Sequence, residues 1–336
     1  MAEQLVSIVL ATHNGEKYLR QQLDSIEAQT RPPTEIILTD DASTDSTPAI
    51  LGAFEARTQT PVIRISNVPG LGFADNFLRA AERASGDWIA FCDQDDVWLP
   101  NKIETCSKFF GNPDISMIVH AADLIDAENR KIGHFSQGIT ETAIRPPLSY
   151  DIWGTFWGFS IIFRRKILEM APIDNRFLDY IDPEAEISHD RWISFLGQVL
   201  GKTAEIAEPL VQYRQHGANL YGQGKRQSHK PPTRAETRET AISYLRATQR
   251  MVEIIAGIDR PAPNTFPAFD REKSLQVFGN ALRQIQGRNA VYAKSHRLAA
   301  GLQVLHNTIS GVYSGAHNGE FRKKSLAKDI LYCLQR

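Results

Sequence analysis

Asp93-Gln94-Asp95-Asp96 sets three carboxylates within four residues at the end of the apolar run Trp88-Ile89-Ala90-Phe91-Cys92, shortly before Pro100. Anions this close repel one another unless a cation sits among them, and hard oxygen ligands at this spacing suit Mg²⁺ or Mn²⁺. The competing reading is a solvated acidic turn that caps the next helix. What separates the two is whether other chemistry-bearing residues converge on the same place. Candidates are Thr12-His13-Asn14, the acidic stretch Asp40-Asp41-Ala42-Ser43-Thr44-Asp45, the pair His189-Asp190 and His216. Each has a plainer alternative: a self-capping turn for Asp40 to Asp45, a first-turn acid facing the helix dipole for Asp190, a surface histidine for His216.

The elements that must position these residues repeat. Leu5 to Ala11 is a β-rich run that stops at Thr12-His13-Asn14-Gly15, and Tyr18, Leu19, Leu23 and Ile26 then recur at helical spacing. Glu35 to Thr39 and a helix from Thr47 to Arg57 form a second unit; Pro61 to Ile65, a glycine-containing loop from Asn67 to Gly72 and a helix through Asn76 form a third. The strand ending at Asp93 follows. Continuous apolar strands alternating with helices predict a mostly parallel sheet covered on both faces, since right-handed crossovers place helices there. Ligands bind such sheets outside the carboxyl ends of the strands, so the three polar clusters should meet. Later segments are predicted as a helix from Pro100 to Phe110, strands at Ile115–Ala121, Phe156–Phe163 and Leu210–Arg214, and a helix capped by Ser188 that reaches Leu200. Gly158, between Trp157 and Phe159, reads either as a backbone that something approaches closely or as a bulge in strand packing.

From Lys225 to Arg234 the chain is polar, basic and proline-containing, which predicts a linker between a domain at 1–224 and a helical extension at 225–336. In the extension, Ala235–Ile258, Arg271–Gln286, Tyr292–Ile309 and Leu326–Leu334 have helical spacing. The last of these sets Leu326, Ile330, Leu331 and Leu334 against Lys323, Lys324 and Lys328, which fits packing on the main domain or a peripheral contact with a membrane. At 336 residues, 42% hydrophobic, 23% charged and with a formal net charge of -1, the chain has no global pull toward nucleic acid. Three scattered cysteines fit a reducing compartment, and the apolar runs are too short to span a bilayer, so a cytoplasmic protein is expected, at most at the inner face of the membrane.

Taken as a set, Ser7 to Gly15, Asp40 to Asp45, Asn67 to Asn76, Asp93-Gln94-Asp95-Asp96-Val97-Trp98, His189-Asp190 and Tyr213-Arg214-Gln215-His216-Gly217-Ala218-Asn219 resemble the family 2, GT-A type inverting glycosyltransferases over about residues 4 to 224. The Asp-Gln-Asp-Asp-Val-Trp and Tyr-Arg-Gln-His stretches look most like the rhamnosyltransferase-like branch that builds bacterial surface polysaccharides. The resemblance implies a Rossmann-like α/β fold and transfer of a hexose, rhamnose or another, from a UDP or dTDP type sugar donor to a hydroxyl of a glycan or lipid-linked acceptor. It implies that Thr12, His13, Asn14, Asp41, Asn76, Asp93 and Gln94 hold the nucleotide sugar, with Asp41 on the base. His13 stands where many relatives carry a stacking tyrosine, so uracil and thymine both remain open. Asp95, His216 and Asp93 would hold the Mg²⁺ or Mn²⁺, Asp190 would be the general base, and Trp157, Gly158 and His189 would face the donor or acceptor sugar.

Two rival readings are weaker, and a third stays open. Gly70-Leu71-Gly72-Phe73-Ala74-Asp75 lacks the third glycine of a dinucleotide fingerprint and follows the third strand. A nucleotidyltransferase would want a glycine-rich, basic first loop, which Thr12 to Gly15 is not. A catalytically inactive nucleotide-sugar or glycan binding protein would carry the same motifs without turnover.

Overall fold

The computed structural model describes residues 4–217, 232–259, 265–316 and 319–334. The chain begins with the expected repeat: β1 (Val6–Thr12), α1 (Leu19–Glu27), β2 (Glu35–Asp40), α2 (Thr47–Arg57), β3 (Val62–Ser66), α3 (Phe73–Ala81) and β4 (Trp88–Asp93). Side chains on these strands alternate between two cores, as a period of two requires. Ile8, Leu10, Ile36, Leu38 and Ala90 face one core with α1 and α2, while Val9, Ile37, Ile89 and Phe91 face the other with α3. Both faces are therefore covered, and β1, β2 and most of β4 are buried throughout.

Beyond Asp93 come β5 (Val97–Trp98), α4 (Lys102–Ser107), β6 (Ile115–Ile125), β7 (Lys131–Phe135), β8 (Ala143–Arg145), β9 (Ile162–Arg164), α5 (Ile167–Met170), α6 (His189–Leu200) and β10 (Lys202–Arg214). The sheet runs β3-β2-β1-β4-β9-β6-β10-β5, with β7 on β6 and β8 on β10. β1 pairs in parallel with both β2 and β4, and β2 with β3, whereas β9 is antiparallel to β4 and β6. The parallel half is thus followed by a mixed half. Ala11 lies opposite both Thr39 and Asp93, so the loops after β1, β2 and β4 leave one edge side by side.

Several boundaries differ from the sequence reading. β6 and β10 extend well past the predicted strands because they pair with each other along most of their length. The Phe156–Phe163 segment is mainly not strand: Gly158–Ser160 form a single 3-10 turn, and only Ile162 onward joins the sheet. Ser188 does stand at the N-cap of α6, but its hydroxyl donates to Asp190 Oδ1 instead of accepting a helix N–H.

The C-terminal part forms α7 (Arg234–Gly257), α8 (Arg271–Tyr292), α9 (Arg297–Ile309) and α10 (Lys323–Leu334). Thr233 closes a capping box with Glu236 at the start of α7. Met251, Ile255, Phe278 and Ala281 of α7 and α8 join the core that covers α6, and Phe195 meets Phe278 at 5.6 Å. The first two helices of the extension therefore pack against α6 of the main domain. Of the α10 residues expected to pack on the main domain or meet a membrane, Leu326 packs instead within the extension, in a small cluster with Tyr292, Val304 and Tyr332, while Ile330, Leu331 and Leu334 are exposed. Ala218, Asn219, the 224/225 boundary and residues 225–231 of the predicted linker lie outside the described residues, while the linker's last residues, Thr233 and Arg234, already cap and open α7.

Candidate active site

The loop after β1 is built by short bonds to its neighbours. Thr12 Oγ1 donates to Asp40 Oδ1 at 2.9 Å, the Asn14 N–H to Ser43 Oγ at 2.8 Å and the Thr44 N–H to Asn14 Oδ1 at 2.8 Å. Asn14 and Ala42 are left-handed, with φ of 48° and 55°, which costs a non-glycine residue roughly 1 kcal/mol and is typical of loops that serve a site. His13 Nδ1 lies 2.6 Å from the Asp41 carbonyl oxygen, so an exposed ring is held at fixed height above the edge. Gln94 joins this loop to the end of β4: its amide accepts the His13 N–H and donates to the His13 carbonyl, both at 3.0 Å.

Asp41 turns toward the third loop. Its two carboxylate oxygens accept the N–H groups of Leu71 at 2.6 Å and Gly72 at 2.9 Å, strapping that loop over the end of β2. Asn76, 2% exposed, accepts from Thr39 Oγ1 at 2.5 Å and Asn67 Nδ2 at 2.9 Å, and donates to the Thr12 carbonyl. It braces the strand ends from below.

The carboxylates do converge. Asp93, at the end of β4, has its pKa pushed up to about 7 by burial and by the negative charges of Asp95 and Asp190. Asp190, in the first turn of α6, is nearly a hundred residues away in sequence, so α6 brings its N-terminus to the β4 edge. Asp190 Oδ1 accepts from the Ser188 hydroxyl and from the Arg191 N–H, a pair of donors that fixes the carboxylate's direction. Asp95 Oδ2 lies 2.8 Å from His216 Nε2, just past the end of β10, and the His216 ring packs at 5.0 Å from Tyr18. Asp95 and His216 are thus paired as a carboxylate and an imidazole that could share a divalent ion. Among the described residues, no group of three or more His, Cys, Asp or Glu encloses a metal position.

Asp96 is different from its neighbours. It is wholly buried, accepts the Arg214 N–H at 2.9 Å, and is driven toward its neutral form by burial and by Asp95 and Asp93. It is a structural acid.

Two buried cations compensate this cluster, and neither was singled out by the sequence reading. Arg214 is fully buried and donates from Nε to the Asp95 carbonyl at 2.6 Å and from its terminal nitrogens to Asn129 Oδ1 at 2.7 Å and Gln21 Oε1 at 2.9 Å, while its guanidinium stacks 4.4 Å from the Tyr18 ring. Lys102, also fully buried, donates to the Phe159 carbonyl at 2.7 Å and sits 3.7 Å over Trp98. Burial pulls its pKa down to about 8 although nearby Cys92, Cys106, Asp96 and Asp93 oppose the shift. Both residues sit inside segments that read as ordinary amphipathic structure, and nothing local marks them as buried.

His189 and Gly158 form one packing unit. The His189 ring stacks on Phe77 at 4.1 Å and meets Phe91 edge-on at 5.0 Å, and burial pulls its pKa down to about 4. A Cβ on Gly158 would stand 2.6 Å from His189 Nε2. The close approach foreseen at Gly158 is therefore made by this ring, and His189 itself is a neutral histidine caged by aromatic rings. Trp157 packs against Phe135 and Tyr213 at 5.6 Å from each, on the β10 side.

Because Asp93 titrates high in the folded chain, its ionisation opposes folding as pH rises from about 4 to about 7. Asp93→Asn cannot ionise, so in metal-free protein its melting temperature should rise relative to wild type across that window and run parallel above it. A difference independent of pH would contradict the shared acidity.

Comparison with known proteins agrees with this geometry. Residues 7–170 match the family model described as glycosyl transferase family 2. An uncharacterized glycosyltransferase of Nostoc sp. is 30% identical over 229 residues, covering 64% of this chain and 66% of that protein. The Escherichia coli protein WfgD, named as a UDP-Glc:alpha-D-GlcNAc-diphosphoundecaprenol beta-1,3-glucosyltransferase, is 30% identical over 135 residues, 40% of this chain and 52% of its own length. The chain thus spans less than two thirds of these curated relatives. In overall fold it is similar to S. aureus TarS 1-349, solved in complex with UDP: the TM-score is 0.57 at 14% identity, over 98% of this chain and 90% of that one. Residues 7–170 thus resemble the glycosyl transferase family 2 domain, and the α/β sheet that carries them has the GT-A architecture.

Proposed function

We propose that the chain is an inverting, metal-assisted glycosyltransferase that moves a hexose from a nucleoside-diphosphate sugar to a hydroxyl of a glycan or lipid-linked acceptor. The observation that carries this reading is the convergence of Asp93, Asp95 and Asp190 at one sheet edge, with the charge of Asp190 raising the pKa of Asp93 from a different element. In the reaction, the acceptor oxygen attacks the anomeric carbon as the bond to the diphosphate oxygen breaks and its electron pair leaves with the diphosphate. Asp190, aimed by Ser188 and the Arg191 N–H, takes the acceptor's proton. His13, Asn14 and Gln94 form the platform for base and ribose, and Asp41 orders the loop above it. Asp95 and His216, with Asp93, would hold Mg²⁺ or Mn²⁺, which when bound offsets the charge that grows on the departing diphosphate. Asp93 adds negative charge near the oxocarbenium-like centre.

Several finer assignments rest on less. A uridine donor is supported by the names of WfgD and of the TarS complex with UDP, and dTDP is the other candidate. The rhamnosyltransferase-like branch is supported by the Asp93–Trp98 and Tyr213–His216 stretches alone. The division at 224/225 and a place at the cytoplasmic face of the membrane belong to the same reading. Among the described residues no helix is long and apolar enough to cross a membrane.

A melting-temperature screen with UDP, dTDP, GDP and their sugar derivatives, each with Mn²⁺, tests the donor class, since a ligand that binds only the folded state raises the midpoint. One base family should stand out by several degrees. No shift with any nucleotide would remove the donor site. A sugar nucleotide that binds without transfer or slow hydrolysis would favour the binding-protein alternative.

A further inference from the structure

We infer that α9 and α10 form a docking face for an anionic lipid bilayer. α9 buries Ala300 and Val304 on one side and turns Leu298, Leu302, Leu305 and Ile309 outward on the other, Leu298 at 85% exposure and Ile309 at 80%. These four recur at intervals of four, three and four residues, so they share one stripe. α10 buries Asp329 and Tyr332 and exposes Ile330, Leu331 and Leu334. Ala300 and Val304 of α9 and Tyr332 of α10 enter the same small cluster, so both helices turn their apolar stripes away from a common core. An amphipathic helix in a water-soluble fold points its apolar face inward; here the inward side is already filled and the outward side is apolar as well.

The charge around the stripes says what covers them. Residues 293–336 hold seven Lys and Arg against two Asp and Glu, in a chain whose formal net charge is -1. One of those acids, Asp329, is buried and bound by Arg288, Tyr292 and Tyr313. Among the described residues Lys323, Lys324 and Lys328, on α10, have no ion-pair partner. A second copy of the same face would bring these lysines against themselves, since a two-fold contact is self-complementary. An anionic headgroup layer neutralises them while the leucines enter the acyl boundary. The contact is peripheral, because no described helix can span the bilayer. This inference does not depend on the transfer reading.

The test is sedimentation of the full chain with vesicles of phosphatidylglycerol and phosphatidylcholine, and with phosphatidylcholine alone. Binding should be at least tenfold stronger to the anionic vesicles and should weaken with salt. L302S/L305S and, separately, K324E/K328E should each lower it at least tenfold with melting temperatures within about 2 °C of wild type, since all four positions are exposed. Binding that is absent, equal on neutral vesicles, or unmoved by both variants would overturn the proposal. So would a concentration-dependent dimer that the leucine variant disperses, because the face would then belong to a second copy.

Discussion

Asp190→Asn should lower the turnover number by about a thousandfold, within the range that loss of a positioned general base produces, and leave the affinity for nucleoside diphosphate within about twofold. Asparagine keeps the size of the side chain and its bond to Ser188, so the N-terminus of α6 should keep its place. What disappears is the acceptor for the proton. Asp190→Glu should recover part of the rate, since the carboxylate remains but its reach changes. Steady-state transfer assays combined with calorimetric nucleotide binding separate the two effects. Retained turnover in the asparagine variant would remove Asp190 from the base role, and a parallel loss of affinity would make it a binding residue instead.

Arg214→Met should be the most damaging change outside the reacting atoms. Methionine fills much of the volume but leaves the partly buried Gln21 and Asp95 carbonyl without their donor, along with Asn129 at the surface. Breaking one member of a buried charged network typically costs about 3–5 kcal/mol, and the loss here should be of that order by denaturant unfolding. The effect should also reach function. Arg214 holds the backbone of Asp95 and precedes His216 by two residues, so any folded fraction should bind nucleotide with a weaker dependence on Mn²⁺. A variant as stable as wild type would show that the guanidinium only fills space.

The parallel half of the fold was legible because its strands are continuous apolar runs that end in polar clusters, and the order of those clusters fixed which edge they share. Asp190 was joined to that edge only through the family resemblance, since nothing along the chain itself brings it near Asp93. What could not be read were environments created by tertiary packing. Lys102 and Arg214 look like surface cations along the chain, and only the closing of α4 and β10 against the sheet makes them counter-charges for Asp93 to Asp96. The burial of His189 against Phe77 and of Asn76 against Thr39 was equally invisible along the chain, since both depend on α3 and α6 closing over the sheet. The 3-10 turn at Gly158–Ser160 interrupted a run of strand-forming residues because Gly158 must yield to the His189 ring, a constraint set thirty residues away.

The most direct test is calorimetric binding of UDP to the wild-type chain with Mn²⁺ and with EDTA, alongside Asp95→Asn. The account predicts at least tenfold tighter binding with Mn²⁺ in the wild type and no such gain in the variant. Equal affinity with and without metal in the wild type would contradict a site in which Asp93, Asp95 and His216 gather around a cation.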